Sequence, residues 1–229
     1  MEEKQIVAVA IDGPAAAGKS TVAKKVAKIL GYTYIDTGAM YRAFTWAVIQ
    51  RGLDPQNEKL SCSIIPEVTI ELFEDGRVLC CGSDVTREIR EPLVSGNVSY
   101  IASYKDIRLA LVDMQRAMAA SKSVVMDGRD IGTYVLPDAE VKVYQIASVE
   151  TRAVRRYEEN LSKGIPTTYA EVEADVRKRD YIDSHRDFAP LRPAVDSILL
   201  DTSYMTIDQA VDAVLDIIHK KAGVEIPCH

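Results

Sequence analysis

The chain has 229 residues, 47% hydrophobic and 27% charged, with 28 lysines and arginines against 34 aspartates and glutamates for a formal net charge of −6. This is globular composition, and a chain of this size can bury roughly 70% of its unfolded surface, so neither disorder nor dependence on covalent staples is expected. No run approaches about 18 consecutive apolar residues, and the acidic balance has the wrong sign for a generic nucleic-acid binder, so membrane and nucleic-acid partners are not expected.

The start, Met1-Glu2-Glu3-Lys4-Gln5, lacks a basic region and runs into only six apolar residues, Ile6 to Ile11, too few for a secretory leader. Four cysteines, Cys62, Cys80, Cys81 and Cys228, show no CxxC spacing, and with only His185, His219 and His229 beside them no zinc set is expected. The expectation is a cytoplasmic protein with reduced thiols.

Gln5 to Ile11 is β-rich without polar alternation, which predicts a strand buried on both faces. A glycine-punctuated turn follows. Thr21 to Leu30 carries Val22, Val26, Ile29 and Leu30 at helical spacing, with Gly31 as the C-terminal cap. Tyr32 to Asp36 reads as a second strand and Ala39 to Arg51 as a second helix. Alternation then breaks: Val68, Ile70 and Leu72 at period two, the turn Glu74-Asp75-Gly76-Arg77, and Val78-Leu79-Cys80 predict a hairpin within an insertion. Ile107, Leu111, Met114 and Met118 mark the core face of another helix, followed by strands at Ser123 to Met126 and Val141 to Ile146 and a helix from about Val149. Thr168-x-x-Glu171 and Thr206-x-x-Gln209 are capping boxes that open two more helices, with a last strand, Ser197 to Leu200, between them. Strands alternating with helices predict an α/β fold with a parallel sheet covered on both faces.

Gly13-Pro14-Ala15-Ala16-Ala17-Gly18-Lys19-Ser20 satisfies G-x-x-x-x-G-K-[ST] between a buried strand and an amphipathic helix. The glycines permit a tight turn, successive backbone N–H groups cradle phosphate, Lys19 reaches the β- and γ-phosphates, and the Ser20 hydroxyl ligates Mg²⁺. This predicts nucleoside-triphosphate binding without saying what becomes of the nucleotide.

Of fifteen arginines, seven lie between residues 151 and 192, a stretch of net +1 against −7 for the rest of the chain. Arg179, Asp183 and Arg186 fall at i, i+4 and i+7, one stripe of the helix begun near Thr168. Either a plain Arg179–Asp183 salt bridge or a wall offering guanidinium forks to phosphate and a carboxylate to sugar hydroxyls accounts for that spacing. Asp127-Gly128-Arg129-Asp130 follows a buried strand at the sheet edge where ligands of open α/β sheets bind. There Asp127 is placed to hold a water on Mg²⁺, Arg129 to grip phosphate, and Asp130 to accept from an exocyclic amine. Asp36-Thr37-Gly38-Ala39-Met40-Tyr41-Arg42 brings another arginine to the same edge. Arg152, Arg155 and Arg156 precede the polar stretch Glu158 to Thr168, read as a lid with arginines at its hinge. A donor phosphate at the loop and an acceptor phosphate among arginines describe phosphoryl transfer, whose power lies in positioning and charge neutralisation.

Taken together, Ile11-Asp12-Gly13-Pro14 through Ser20, Asp36 to Arg42, Asp127 to Asp130 with Gly132, Pro137-Asp138-Ala139, Arg179-Asp180 with Asp183 and Arg186, and Asp201-Thr202-Ser203 closely resemble the bacterial cytidylate (CMP) kinase family over nearly the whole length. The resemblance implies a P-loop kinase fold as a single domain. Its core runs over 1–60 and 96–229, a nucleoside-monophosphate-binding insertion with a small antiparallel sheet over about 61–95, and a lid over about 157–168. It implies transfer of the γ-phosphoryl group of ATP to CMP or dCMP with Mg²⁺, in a monomer. Gly13 to Thr21 and Arg155 then match donor contacts, and Lys19, Asp127, Arg129, Arg152 and Arg156 match catalytic positions. Thr37, Arg42 and Arg129 match acceptor-phosphate contacts; Ser99, Arg108 and Asp130 lie near cytosine; Arg179, Asp183 and Arg186 surround ribose and phosphate. Some relatives carry glycine within the loop where this chain has Ala15-Ala16-Ala17; small residues are expected to make little difference. The competing readings are a P-loop kinase acting on UMP or a phosphate-free alcohol, and a nucleotide switch, which needs only one phosphate site.

Overall fold

A computed structural model describes residues 6–227; Gln5 of the predicted first strand, Cys228 and His229 lie outside the described residues. The elements in chain order are β1 (Ala8–Asp12), α1 (Lys19–Leu30), β2 (Thr33–Asp36), α2 (Thr37–Gln50), α3 (Glu58–Ser63), β3 (Ile70–Leu72), β4 (Val78–Cys80) and β5 (Ser83–Asp84). They continue with α4 (Pro92–Ile101), α5 (Lys105–Ala119), β6 (Val124–Gly128), β7 (Val141–Ile146), α6 (Val149–Ser162), α7 (Tyr169–His185), β8 (Ile198–Asp201) and α8 (Ile207–Ala222).

The main sheet has strand order β2-β6-β1-β7-β8 and is parallel throughout. Its central strands are apolar on both faces because both are covered, and Val9, Ile11 and Met126 are fully buried. On one face α1 and α8 pack Val22, Val26, Val211, Val214 and Ile218 against Val9, Ile11, Val125 and Val143. On the other, Val112 of α5 meets Ile35, Val124 and Met126. A third cluster joins α2, the β3–β4 hairpin, α4 and α5, with Phe44, Ile70, Val78, Ile101, Ile107 and Leu111 at its centre. Met114 and Met118 pack against it half-buried, so the predicted α5 face is core.

The β3-β4-β5 sheet is antiparallel, with Ile70 facing Cys80 and Leu72 facing Val78. Both capping boxes close as expected, Thr168 with Glu171 and Thr206 with Gln209. One predicted boundary is corrected. α2 begins at Thr37 rather than Ala39, because Asp36 caps it by accepting from the Ala39 N–H at 2.7 Å. Of the polar stretch read as a lid, 158–162 continue α6 to Ser162 and 163–168 are irregular chain leading to α7 at Tyr169. Glu159 pairs with Arg156 within α6 and with Lys163 just past its end, so the polarity of the first part of the stretch belongs to a solvated helical face.

Candidate active site

A cavity of about 690 Å³ opens beyond the carboxyl ends of β1, β2 and β6, with the P-loop on one side and, on the other, charged side chains of α2, α5 and α7 with Ser95, Val98 and Ser99 of α4. Gly13 stands where the loop leaves β1 at φ 151°, so close to β7 that a Cβ there would sit 1.9 Å from the Gln145 carbonyl oxygen. Gly18, at φ 86°, caps the N-terminus of α1. These two constraints turn the backbone N–H groups into one concavity at the positive end of a helix. Ala16 also has positive φ, 58°, a left-handed conformation in which a side chain costs about 1 kcal/mol or more relative to glycine.

Ala16, Ala17, Gly18, Lys19, Ser20 and Thr21 line the cavity, while Gly13, Pro14 and Ala15 lie behind it. Lys19 is buried and its ammonium donates to the Pro14 carbonyl at 2.7 Å. Burial, reinforced by Arg129, pulls its pKa down to about 7. The Ser20 hydroxyl donates to Asp127 Oδ2 at 2.8 Å, and the Tyr34 hydroxyl donates to Oδ1 at the same distance. Burial, with Asp36 nearby, pushes the Asp127 carboxyl up to about 6.

Across the cavity the arginines converge. The Arg179–Asp183 salt bridge is not formed: Asp183 accepts instead from Arg129 Nε at 2.8 Å. Arg179 forms no ion pair among the described residues, and its buried Nε has no partner. Burial lifts the Asp183 carboxyl, but Arg129, Arg179 and Arg186 outweigh it and hold the group below the usual range. Conversely, burial and Arg129 pull Arg179 below the ordinary guanidinium value, and burial and Arg108 do the same to Arg186. Both guanidinium groups line the cavity, Arg186 beside Asp130 and Arg179 with no ion pair among the described residues. Arg42 reaches Asp36 at 3.2 Å and keeps a buried Nε unpaired. Asp130 is shared: Oδ2 accepts from Arg108, and Oδ1 lies 3.2 Å from Arg186 Nη2. Ser99, buried on α4, faces the same space, as does Thr37, whose hydroxyl donates to the Asp127 carbonyl at 2.7 Å.

One predicted catalytic residue is placed elsewhere. Arg155 and Arg156 line the cavity, the first donating to the Thr202 carbonyl at 2.7 Å and the second paired with Glu159 at 3.1 Å. Arg152 turns beneath the P-loop, donating to the Ala147 and Ala15 carbonyls and pairing with Asp180 at 2.6 Å. Asp180 in turn accepts from the Ala15 N–H at 3.4 Å, so α6 and α7 hold both backbone polar groups of one loop residue. A buried guanidinium needs a buried acceptor set, and that set lies behind the loop.

The sequence reading missed several residues. Asp12 accepts from the Ile131 and Gly132 N–H groups at 2.7 and 2.8 Å, opening the π-helical turn Ile131–Val135, and burial pushes its pKa up to about 7. Its signal was a carboxylate closing an apolar strand. Gln145 donates to the Ala17 carbonyl at 2.7 Å. Gln115 is buried beside Tyr41 and lies on the Arg108 stripe at i+7, which was the available signal.

A family model described as Cytidylate kinase matches residues 9–220. The chain belongs to the cytidylate kinase family. It is 51% identical over 220 residues to a cytidylate kinase of Oceanobacillus iheyensis, covering 95% of this chain and 96% of that protein. It is 49% identical over 224 residues to a cytidylate kinase of Anoxybacillus flavithermus, covering 96% and 99%. Among solved structures, an uncharacterized protein from Eubacterium ventriosum superimposes with a TM-score of 0.55 at 15% identity, covering 94% of this chain and 99% of that one, a likeness of fold.

Proposed function

We propose that this family member transfers the γ-phosphoryl group of ATP to the phosphate of CMP or dCMP, giving ADP and CDP or dCDP. The observation that carries the reading is the convergence of a P-loop and a group of arginines on one cavity, since a transferring kinase needs two phosphate sites facing each other. On this reading the triphosphate lies along Ala16 to Thr21, and Lys19 exchanges the Pro14 carbonyl for phosphate oxygens. Arg42, Arg129 and Arg179 hold the acceptor phosphate, with Thr37 beside it. Asp183 faces the ribose with Arg186, and Ser99, Arg108 and Asp130 face the cytosine ring. Asp130, held between two guanidinium groups, offers its remaining lone pairs to the exocyclic amine.

The donors around Ser20 fit Mg²⁺: a hydroxyl and a carboxylate are hard oxygen ligands, and a cation there relieves the repulsion between Asp127 and Asp36. Among the described residues no cluster of three acidic, histidine or cysteine side chains forms a protein-only cage, in keeping with an ion completed by substrate phosphates. Ser20 would hold it directly and Asp127 through water; when bound it neutralises charge on the phosphate oxygens. An acceptor phosphate oxygen attacks the γ-phosphorus, and the bond from that phosphorus to the β,γ-bridging oxygen breaks to leave ADP. Arg155 and Arg156, beside the short 163–168 segment, supply positive charge at the transferring group as the lid closes. The insertion around β3-β4-β5 presents the acceptor side through α2 and α4. The same reading makes the enzyme a cytoplasmic monomer working on small molecules rather than nucleic acid or membrane, in keeping with its net charge of −6 and with described helices too short or too polar to span a bilayer.

The test is ADP release coupled to a reporter enzyme, with CMP, dCMP, UMP or shikimate as acceptor. CMP and dCMP are expected to give the highest kcat/KM; preference for UMP or shikimate overturns the acceptor assignment, and ATP hydrolysis without transfer favours a switch.

A further inference from the structure

The β4–β5 turn, away from the nucleotide cavity, brings two sulfurs together. Cys80 ends β4 opposite Ser83, and Cys81 and Gly82 form the connecting turn at φ 51° and 80°. Two successive positive φ angles define the tight hairpin turn that favours Asn-Gly, so cysteine at its first position carries a backbone cost. The result is an Sγ–Sγ distance of 4.0 Å. Their surroundings differ. Cys80 is fully buried and its thiol donates to the Ala43 carbonyl of α2 at 3.5 Å. Cys81 is exposed and its thiol donates to the Glu67 carbonyl at 3.5 Å.

The two thiols also differ in acidity. For Cys81 the effect of partial burial is outweighed by the Thr69 N–H and the Arg51 side chain, which hold it below the usual thiol range. Burial and its neighbour push Cys80 up to about 12. Cys81 is therefore the entering nucleophile and Cys80 the slower second donor. Among the described residues no third ligand completes a metal-binding group, which argues against a tetrahedral zinc site. With bonds to sulfur of about 2.3 Å, a pyramidal three-coordinate centre with an angle of about 100° needs sulfurs about 3.5 Å apart, so the pair must close by about 0.5 Å from its 4.0 Å separation.

We propose that Cys80 and Cys81 form a two-thiolate binding site for a trivalent arsenical. The reaction is a condensation without change of oxidation state. Two As–S bonds form, the arsenic–oxygen double bond of R–As=O breaks, and both thiol protons leave with the oxygen as one water. Cys81 attacks first; Cys80 follows, giving up its hydrogen bond to Ala43. Neither cysteine lines the nucleotide cavity.

Phenylarsine oxide is the probe, added at equimolar concentration to the full-length protein and followed by excess glutathione. Intact-mass measurement is expected to show one phenylarsenic group retained in place of two thiol hydrogens, resistant to the monothiol and released by 1,2-ethanedithiol. Peptide mapping is expected to place it on the segment containing Cys80 and Cys81. Cys81→Ser, on an exposed turn, is expected to cut retention at least tenfold, and Cys80→Ala to do the same. Should Cys80→Ala not fold, Cys81→Ser decides alone. Absence of a glutathione-resistant adduct in the native protein, or equal retention by Cys81→Ser, overturns the proposal.

Discussion

Asp130→Asn separates the two tasks of one carboxylate. The side chain is 5% exposed and lies between Arg108 and Arg186, whose side chains are 1% and 2% exposed. Replacing it by an amide keeps the volume but leaves both guanidinium groups without the anion they share. Breaking a buried pair in this way costs about 3–5 kcal/mol. At roughly 2–4 °C per kcal/mol for a chain of this length, the unfolding midpoint should fall by about 10 °C. The acceptor side should suffer independently. Asparagine keeps an acceptor oxygen but loses the charge, weakening the hydrogen bond to the cytosine amine by about 1–1.5 kcal/mol, so the CMP-to-UMP ratio of kcat/KM should fall about 5- to 12-fold. Calorimetric melting gives the first quantity; coupled kinetics well below the midpoint give the second. A midpoint within about 2 °C of native means that the two arginines are neutralised by another group. A ratio within about twofold of native means that the base is read elsewhere.

Three further outcomes follow from the donor side. Lys19→Ala is expected to lower kcat/KM by about a hundredfold or more, and near-normal turnover removes the ammonium from the mechanism. Asp180→Ala strips Arg152 of its counter-ion and frees the Ala15 peptide, so KM for ATP should rise more than KM for CMP; Asp180→Asn, which still accepts from the Ala15 N–H, should recover part of the loss. Equal KM values for native and Asp180→Ala refute this hold on the loop. With Lys19 depressed to about 7 in the free site, phosphate oxygens restore its ammonium on binding. At pH 8, above the free pKa and below the bound one, MgATP binding should take up to about 0.9 proton from buffer, and uptake should diminish as pH falls toward 6. Titration calorimetry in buffers of different ionisation enthalpy measures this, and identical heats at pH 8 contradict it.

Features set by local chemistry were legible in the sequence. The P-loop shows because two glycines and a lysine at fixed spacing are needed to turn backbone amides inward, and both capping boxes show because Thr168 with Glu171 and Thr206 with Gln209 satisfy their own helix ends. α3 and β5 did not show. Glu58–Ser63 has too few residues for a periodic pattern and starts on the Asn57 side chain, while Ser83–Asp84 is a strand only because Leu79 and Cys80 pair with it. Arg152, Arg155 and Arg156 share one helical face by spacing, yet they diverge. Long side chains follow their counter-ions, and Asp180, which draws Arg152 away, comes from α7 far along the chain. The alternatives for Arg179 and Asp183 were likewise decided by a distant residue, Arg129.

Four consecutive residues at the end of β6 divide their labour among different partners. Asp127 answers to Ser20 and Tyr34, Gly128 leaves too little room for a Cβ beside Ile131 and Thr37, Arg129 answers to Asp183, and Asp130 answers to Arg108 and Arg186. Inserting or deleting one residue here would reassign all four at once, because each reaches its partner from its own place at or just past the carboxyl end of β6. Attempts to retarget the enzyme to another nucleobase must therefore leave this tetrapeptide in register and make their changes on α4 and α5, where one position can be altered without disturbing the donor half.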